Sequence, residues 1–176
     1  LVAIALVLSL ARTVYSLLGY LYRYRALLSQ HPQSPPARMD VELVTVGTEL
    51  LLGFTVDTNS AEIGRALAAA GVRVVRRTAV SDDVAAIRDA VSAALKRTGA
   101  VITTGGLGPT ADDITKSAVA ALYGARLVFD PDVWTSLEER FARFGRVPTA
   151  NNRGQAEVPE GAVVLPNRWG TAPGLW

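Results

Sequence analysis

Residues 103–115 join a short apolar run to a helical pattern through a glycine-rich turn, and this arrangement restricts the fold more than any other segment. The apolar run occupies residues 100–102, and the turn reads Gly-Gly-Leu-Gly over residues 105–108. A strand that passes through such a turn into a helix points backbone N–H groups and the positive end of the helix dipole at an anion. The segment therefore predicts a phosphate-binding turn.

Two carboxylates, Asp112 and Asp113, fall in the first turn of the helix predicted after this glycine-rich turn. Acidic side chains beside a phosphate repel it unless a divalent metal ion lies between them. The pair therefore predicts a metal-assisted phosphate or pyrophosphate site with both carboxylates as metal ligands. In the structural alternative, Thr110 and Asp113 form a capping box and the acids only complement the helix dipole.

The remaining periodicity alternates strands and helices, which predicts a three-layer α/β/α fold with a mostly parallel sheet. Strands are expected at about 41–46, 72–80, 100–104, 162–165 and 172–176, and helices at about 59–70, 82–97, 112–123 and 130–144. Ser81 is the expected cap of the second helix. Ligands of such sheets bind beyond the carboxyl ends of the strands. The turn after residue 46, which reads Gly-Thr-Glu, and the glycine-rich turn both fall at such ends.

Several motifs at separate places resemble one family. They are Gly-Pro-Thr at 108–110 before the two acids, Asn-Asn-x-x-Gln-Ala at 151–156, Pro-Glu-Gly-Ala at 159–162 and Gly-Thr-Ala-Pro-Gly at 170–174. In this order they resemble the N-terminal domain of the competence/damage-inducible protein CinA, within the MoaB/Mog/MoeA-like molybdopterin-binding fold. The resemblance covers about residues 40–176, and it implies a domain that is C-terminally incomplete.

The resemblance also implies a function, because this domain of the CinA family is associated with ADP-ribose pyrophosphatase activity. The implied activity is hydrolysis of a nucleotide diphosphate, with the diphosphate on the N–H groups of residues 105–110. A divalent metal ion such as Mg²⁺ would be held by Asp113, with Asp112, Glu49 or Asp82 as further ligands, and would activate water. Nicotinamide mononucleotide deamidation belongs to a second domain of that family and is not implied.

The candidate site residues fall into three groups. The catalytic candidates are Asp113, Asp82 and Glu49, and the metal candidates are Asp112 and Asp113. The ligand-binding candidates are Gly47, Thr48, Asn59, Thr104, Gly105, Gly106, Gly108, Thr110 and Thr115. Lys116 is the nearest cation to the glycine-rich turn, but a solvated surface lysine is the expected role.

Composition excludes several kinds of chemistry. The chain has no cysteine and a single histidine, His31, so that disulfides, thiolate sites and histidine triads are excluded. The formal net charge of +2 comes from residues 1–39, which contain four arginines and no acid. Residues 40–176 therefore keep 14 of the 18 basic residues against all 16 acids. We expect no nucleic-acid-binding surface on this domain.

Residues 1–39 are expected to lie outside the domain. Residues 1–22 are mostly apolar but contain Arg12, and a proline-rich linker runs from about residue 30 to Arg38. A membrane span needs about 20 apolar residues, and Arg12 would cost about 2.5–3.5 kcal/mol at the bilayer centre. The segment is interpreted as sequence upstream of the true start, with Met39 as the first residue, or else as a membrane anchor.

Two other functions compete with hydrolysis. One is a molybdopterin-binding role in molybdenum cofactor synthesis, with the same turn holding a pterin phosphate. The other is a non-catalytic binding module tethered to a membrane through residues 1–30. In each case the expected partner is a small nucleotide or pterin ligand, and a homo-oligomer is expected. A cytoplasmic location is expected unless the anchor is genuine.

Overall fold

Three parallel strands form the central sheet of the computed structural model, which describes residues 39–110, 113–167 and 170–176. The strands are β1 (Asp40–Val46), β2 (Arg73–Val80) and β3 (Val101–Thr104), in the order β2-β1-β3. Six of the seven residues of β1 are buried. Burial on both faces is typical of a parallel strand between two helical layers.

A short helix, α1 (Thr48–Leu51), follows β1, and longer helices cover both faces of the sheet. On one face, Val41 and Leu43 pack against Leu67 of α2 (Thr58–Ala69). On the other face, Val44 and Val46 pack against α3 (Val84–Thr98) and α4 (Thr115–Leu122). Because odd and even positions of β1 face opposite layers, one strand supplies both apolar cores. The predicted three-layer α/β/α architecture with a parallel sheet is confirmed.

Two helix starts differ from the sequence prediction. The cap of α3 is Asp83, whose carboxylate accepts a hydrogen bond from the Ala86 N–H at 2.8 Å, whereas Ser81 was the expected cap. Helix α4 begins at Thr115 and not at residue 112. Asp113 therefore lies in the loop before α4, outside its first turn, and Asp112 lies outside the described residues.

The second half of the chain is built from short elements. Helix α5 (Pro131–Ala142) begins with proline at its first position, and a 3₁₀ helix spans Ala150–Ala156. The strands β4 (Leu127–Phe129) and β5 (Glu157–Pro159) pair antiparallel, as do β6 (Val164–Leu165) and β7 (Gly174–Leu175). The sequence predicted α5, β6 and β7 but missed the 3₁₀ helix, β4 and β5.

A separate core holds these short elements together. Val133 and Leu137 of α5 pack against Ala156 and Val158, with Trp134 and Phe141 at its margin. The apolar face of this helix is therefore core. Among the helices within residues 39–176 that the structure describes, none is long and apolar enough to cross a bilayer. Residues 1–38, including the predicted anchor, lie outside the described residues.

An ion pair between a buried carboxylate and a partly exposed arginine fixes α3 against the sheet. Glu42 of β1 is only 2% exposed, and its carboxylate accepts hydrogen bonds from the Arg97 Nε at 2.6 Å and Nη2 at 2.7 Å. The hydrogen bonds from Arg97 lower the pKa of Glu42 below its ordinary value, against the effect of burial, which acts to raise it. A buried carboxylate needs such a partner, because an unpaired charge inside the fold is strongly unfavourable.

We predict that Arg97→Ala destabilises the fold several times more than Arg73→Ala. Arg73 makes an equally direct pair with Asp40, but the Asp40 side chain is 31% exposed and that of Arg73 59%, and solvent-exposed pairs contribute little. Urea unfolding at pH 7 measures the difference. Because the folded pKa of Glu42 is lowered, its contribution is present above its ordinary value of 4.5 and is lost as the pH falls further. Equal urea midpoints for the two variants at pH 7 would contradict this account.

Candidate functional site

The register of the central sheet brings three turns to one edge. Thr45 of β1 lies opposite Thr104 of β3, and Val46 lies opposite Val80 of β2. The three strands therefore end side by side, and the turns that follow them begin at Gly47, Ser81 and Gly105. This is the carboxyl edge of a parallel sheet, where α/β folds bind ligands.

The glycine-rich turn is pressed against the end of β1. Gly105 has a φ of 95°, and a Cβ atom added to it would lie 2.0 Å from the Val46 carbonyl oxygen. Gly106 has a φ of 61°, and its Cβ would lie 2.3 Å from the Thr115 Oγ1. Both glycines are therefore required by backbone conformation and by close packing.

Thr115 forms hydrogen bonds to the backbone of the glycine-rich turn that precedes it. Its buried hydroxyl donates to the Gly105 carbonyl at 2.8 Å, and its N–H donates to the Gly106 carbonyl at 3.1 Å. The sequence placed this hydroxyl among the ligand contacts. In the structure it is engaged with the loop backbone, so that Thr115 shapes the turn.

Asp113 occupies an anion position within the same loop. Its Oδ2 accepts hydrogen bonds from the Thr110 N–H at 2.7 Å and from the Thr110 hydroxyl, and its carboxylate also accepts from the Gly108 N–H. Burial acts to raise the pKa of Asp113, but these hydrogen bonds and the Lys116 charge outweigh it, so that the pKa is lowered. The loop thus already holds one oxyanion, which comes from its own chain.

The first and second turns are joined by Thr48 and Asp82. The Asp82 Oδ2 accepts from the Thr48 N–H at 2.8 Å and from its hydroxyl at 2.9 Å, while the Asp82 N–H donates to that hydroxyl at 3.2 Å. Glu49 belongs to the short helix α1 (Thr48–Leu51). Its carboxylate folds back over Gly47, where an added Cβ would lie 2.6 Å from the Glu49 Oε1. These four predicted residues are therefore neighbours.

Asn59, another predicted ligand contact, is not among these four neighbours. It is exposed on the first turn of α2, which Asp57 caps by accepting from the Ser60 N–H at 2.9 Å. Sequence reasoning missed the cluster beneath it. The Thr45 hydroxyl donates to the Asp57 Oδ2 at 3.0 Å and lies 2.7 Å from the Ser60 hydroxyl, which fixes α2 to the end of β1.

The predicted metal centre gains no support from this geometry. Across residues 39–110, 113–167 and 170–176, no three histidine, cysteine or acidic side chains are grouped so that they could hold a metal ion. Asp82 and Asp113 each direct one carboxylate oxygen to amide and hydroxyl donors. Asp112, the other predicted ligand, is outside these ranges. The described carboxylates therefore do not fit a metal site.

Lys116 is buried, which corrects its expected role as a solvated surface residue. It is 8% exposed, and its Nζ donates to the carbonyls of Gly154 at 2.6 Å, Gln155 at 3.3 Å and Glu157 at 2.7 Å. Burial lowers the pKa of Lys116, and the charges of Glu157 and Asp113 oppose that shift. A lysine in the first turn of a helix opposes the helix dipole, and this is the sequence signal for a special role.

Hydrogen bonds between side chains connect the segment that Lys116 contacts to a further part of the protein. The Asn152 Nδ2 donates to the Gln155 Oε1 at 3.0 Å, and the Gln155 Nε2 donates to the Thr171 hydroxyl at 3.0 Å. Asn152 and Gln155 are both buried. The motifs at 151–156 and 170–174 are thus parts of one hydrogen-bonded structure that begins at Lys116.

Comparison with known families and sequences agrees with this architecture. The family described as "Probable molybdopterin binding domain" matches residues 42–174. A CinA-like protein of Gemmatimonas aurantiaca is 58% identical over 139 residues, which are 78% of this chain and 32% of the relative. A CinA-like protein of Synechococcus elongatus is 46% identical over 138 residues, covering 78% and 33%. The chain spans about a third of the length of these curated relatives.

Solved structures show the same fold. The CinA protein of unknown function from Thermoplasma acidophilum is 36% identical, with a TM-score of 0.71, over 78% of this chain and 80% of that one. The tungsten cofactor synthesizing protein MoaB from Pyrococcus furiosus is 24% identical, with a TM-score of 0.50, over 76% and 78%. The second likeness concerns the fold alone. The predicted resemblance is confirmed.

We predict that Gly105→Ala destabilises the protein more than Gly99→Ala. Both glycines have positive φ, which costs an L-residue about 1–2 kcal/mol. A Cβ at Gly99 meets nothing within 4 Å, whereas one at Gly105 meets the Val46 carbonyl oxygen at 2.0 Å. The clash adds about 1–3 kcal/mol. Thermal unfolding of the two variants measures the difference, and equal losses would show that the loop does not pack against β1 as described.

Proposed function

This chain belongs to the molybdopterin-binding domain family, in its CinA-like branch, and from that premise we propose that one edge of its central sheet binds a phosphate-bearing small molecule. This three-turn edge is the one where the turns that begin at Gly47, Ser81 and Gly105 meet. The observation that carries the proposal is the convergence of the Gly108 N–H, the Thr110 N–H and the Thr110 hydroxyl on one carboxylate. A turn that holds a carboxylate in this way has donors suited to a phosphate oxygen.

Binding requires Asp113 to give up donors to the ligand. A carboxylate and a phosphate repel each other at short range, so they cannot share the N–H groups of Gly108 and Thr110. Asp113 would turn away as the phosphate enters, while Thr115 continues to hold the Gly105 carbonyl. In this proposal Asp113 keeps the turn in its binding shape until the phosphate takes over its donors.

The proposed reaction is hydrolysis of the diphosphate of an ADP-ribose-type nucleotide. A water oxygen bonds to one phosphorus, the bond from that phosphorus to the bridging oxygen breaks, and the bridging oxygen leaves with the second phosphate. The water proton passes to a carboxylate, and the products are AMP and ribose 5-phosphate. Asp82 is the proposed base, because Thr48 fixes it at the same edge of the sheet as the glycine-rich turn, and Glu49 is the second candidate.

The divalent metal predicted from the sequence has no part in the proposed mechanism. The described carboxylates form no metal cluster among the residues placed by the structure, and the proposed proton transfer is independent of one. Assays with added Mg²⁺ and with EDTA separate the two possibilities. A full loss of activity in EDTA would restore the metal to the mechanism.

Molybdopterin binding is the second candidate, and the description of the matching family favours it. A pterin phosphate would use the same donors of the glycine-rich turn, and no hydrolysis would follow. Titration with molybdopterin and an ADP-ribose hydrolysis assay on the same preparation distinguish the two. Binding of the pterin without turnover of ADP-ribose would replace the hydrolase proposal with this one.

We predict that Asp82→Asn lowers kcat/KM for ADP-ribose about 100-fold or more, the contribution of a general base. The amide oxygen of asparagine still accepts from Thr48, so the fold is kept while the base is lost. Asp83→Asn is the matched control, because Asp83 only caps α3 and asparagine caps a helix equally well. It should keep nearly the wild-type kcat/KM.

Two outcomes would count against this assignment. An Asp82→Asn protein with wild-type kcat/KM would show that Asp82 is not the base. An equal loss in Asp83→Asn would show that the effect comes from the start of α3 and not from the proposed chemistry.

A further inference from the structure

A strongly basic surface lies at the end of α5, away from the residues proposed for the reaction. Residues 140–156 contain four arginines and no carboxylate, although residues 40–176 as a whole carry more acids than bases. Arg140, Arg143 and Arg146 follow one another at spacings of three residues. Such a local excess of positive charge attracts anions.

An open cavity of about 450 Å³ lies on this surface, lined by Arg140, Phe141, Phe144, Arg146 and Thr171. None of these five residues is acidic. A neighbouring cavity of about 290 Å³ shares Arg140 and Thr171 but is also lined by Asp130 and Asp132. The larger cavity is therefore the more basic of the two, and its volume is in the range of small-molecule sites.

The backbone that presents Phe144 and Arg146 is fixed. The N–H groups of Phe144 and Arg146 both donate to the Phe141 carbonyl at 3.0 Å, and Gly145 between them has a φ of 65°. This is a helix C-terminal cap with glycine in the left-handed conformation. Phe144 is nevertheless 73% exposed. A large aromatic ring held outward by a rigid cap is available to a ligand.

The opposite wall is equally well defined. The Thr171 hydroxyl accepts from the Gln155 Nε2 at 3.0 Å, and Gln155 is fully buried. The Arg140 Nη1 donates to the Asn167 carbonyl at 3.3 Å. Burial lowers the pKa of the Arg140 guanidinium, as does the charge of Arg143, and a bound anion would offset both effects.

We propose that this cavity binds a nucleotide, with Arg140 and Arg146 on its phosphate and Phe144 stacked on its base. Paired guanidinium groups recognise phosphate oxygens with directed, charge-assisted hydrogen bonds. An exposed aromatic ring gives a planar base a stacking surface. The site is separate from the glycine-rich turn and does not depend on the proposed hydrolysis.

Calorimetric titration with AMP, adenosine and inorganic phosphate tests the site. AMP should bind more tightly than either fragment, because only AMP uses both the arginines and the ring. Arg146→Gln should weaken AMP binding about tenfold or more, the loss of one hydrogen bond to a charged group. Phe144→Ala should weaken AMP and adenosine binding by about fivefold or more, while leaving inorganic phosphate binding unchanged. Both side chains are exposed, so these variants should keep the wild-type melting temperature.

Arg143→Gln is the matched control, because Arg143 adjoins the cavity in sequence but does not line it. It should weaken AMP binding by less than about twofold, the effect of one solvent-screened charge that does not line the cavity. Equal losses in Arg143→Gln and Arg146→Gln would overturn the proposal, since they indicate general attraction only. Failure of the wild-type protein to bind AMP would also overturn it. Loss of AMP binding in Asp82→Asn but not in Arg146→Gln would place the nucleotide at the three-turn edge instead.

Discussion

The buried ammonium group of Lys116 is the interaction on which the arrangement of the two halves depends. It donates to three carbonyls of the segment 154–157, which belongs to the second half, while its own helix packs on the central sheet of the first. A buried cation is tolerated only where its hydrogen bonds are satisfied. Lys116 meets this condition with backbone oxygens, and it thereby fixes the 3₁₀ helix against the start of α4.

The same helix start controls the glycine-rich turn. Thr115, directly before Lys116, holds the carbonyls of Gly105 and Gly106, and Asp113 holds the N–H groups of Gly108 and Thr110. Three residues within four positions therefore determine the shape of the turn and its connection to the second half. From Lys116 the contacts continue through Gln155 to Thr171. We therefore expect a substitution in the glycine-rich turn to alter the structure around Thr171, and a substitution at Thr171 to alter the turn.

The sequence allowed the sheet, its helices and the position of the two glycine turns to be predicted, because long apolar periods and glycine spacing carry that information. It did not reveal the partners of single side chains. Thr115 and Lys116 looked like a ligand contact and a surface residue, since their buried partners come from residues 10 to 41 positions away. Asp113 was expected within the first turn of α4. The strands β4 and β5 were not predicted, and β5 ends at Pro159, a residue that is unusual within strands.

Hydrogen–deuterium exchange of a Lys116→Met protein tests the coupling directly. The substitution keeps an apolar stem of similar length but removes the ammonium group, so that the carbonyls of Gly154, Gln155 and Glu157 lose this donor. The account predicts faster exchange both in residues 150–159 and in the glycine-rich turn at 103–115. Lys96→Met, at an exposed position of α3, should exchange like the wild type. Wild-type exchange rates in both segments of Lys116→Met would contradict the account.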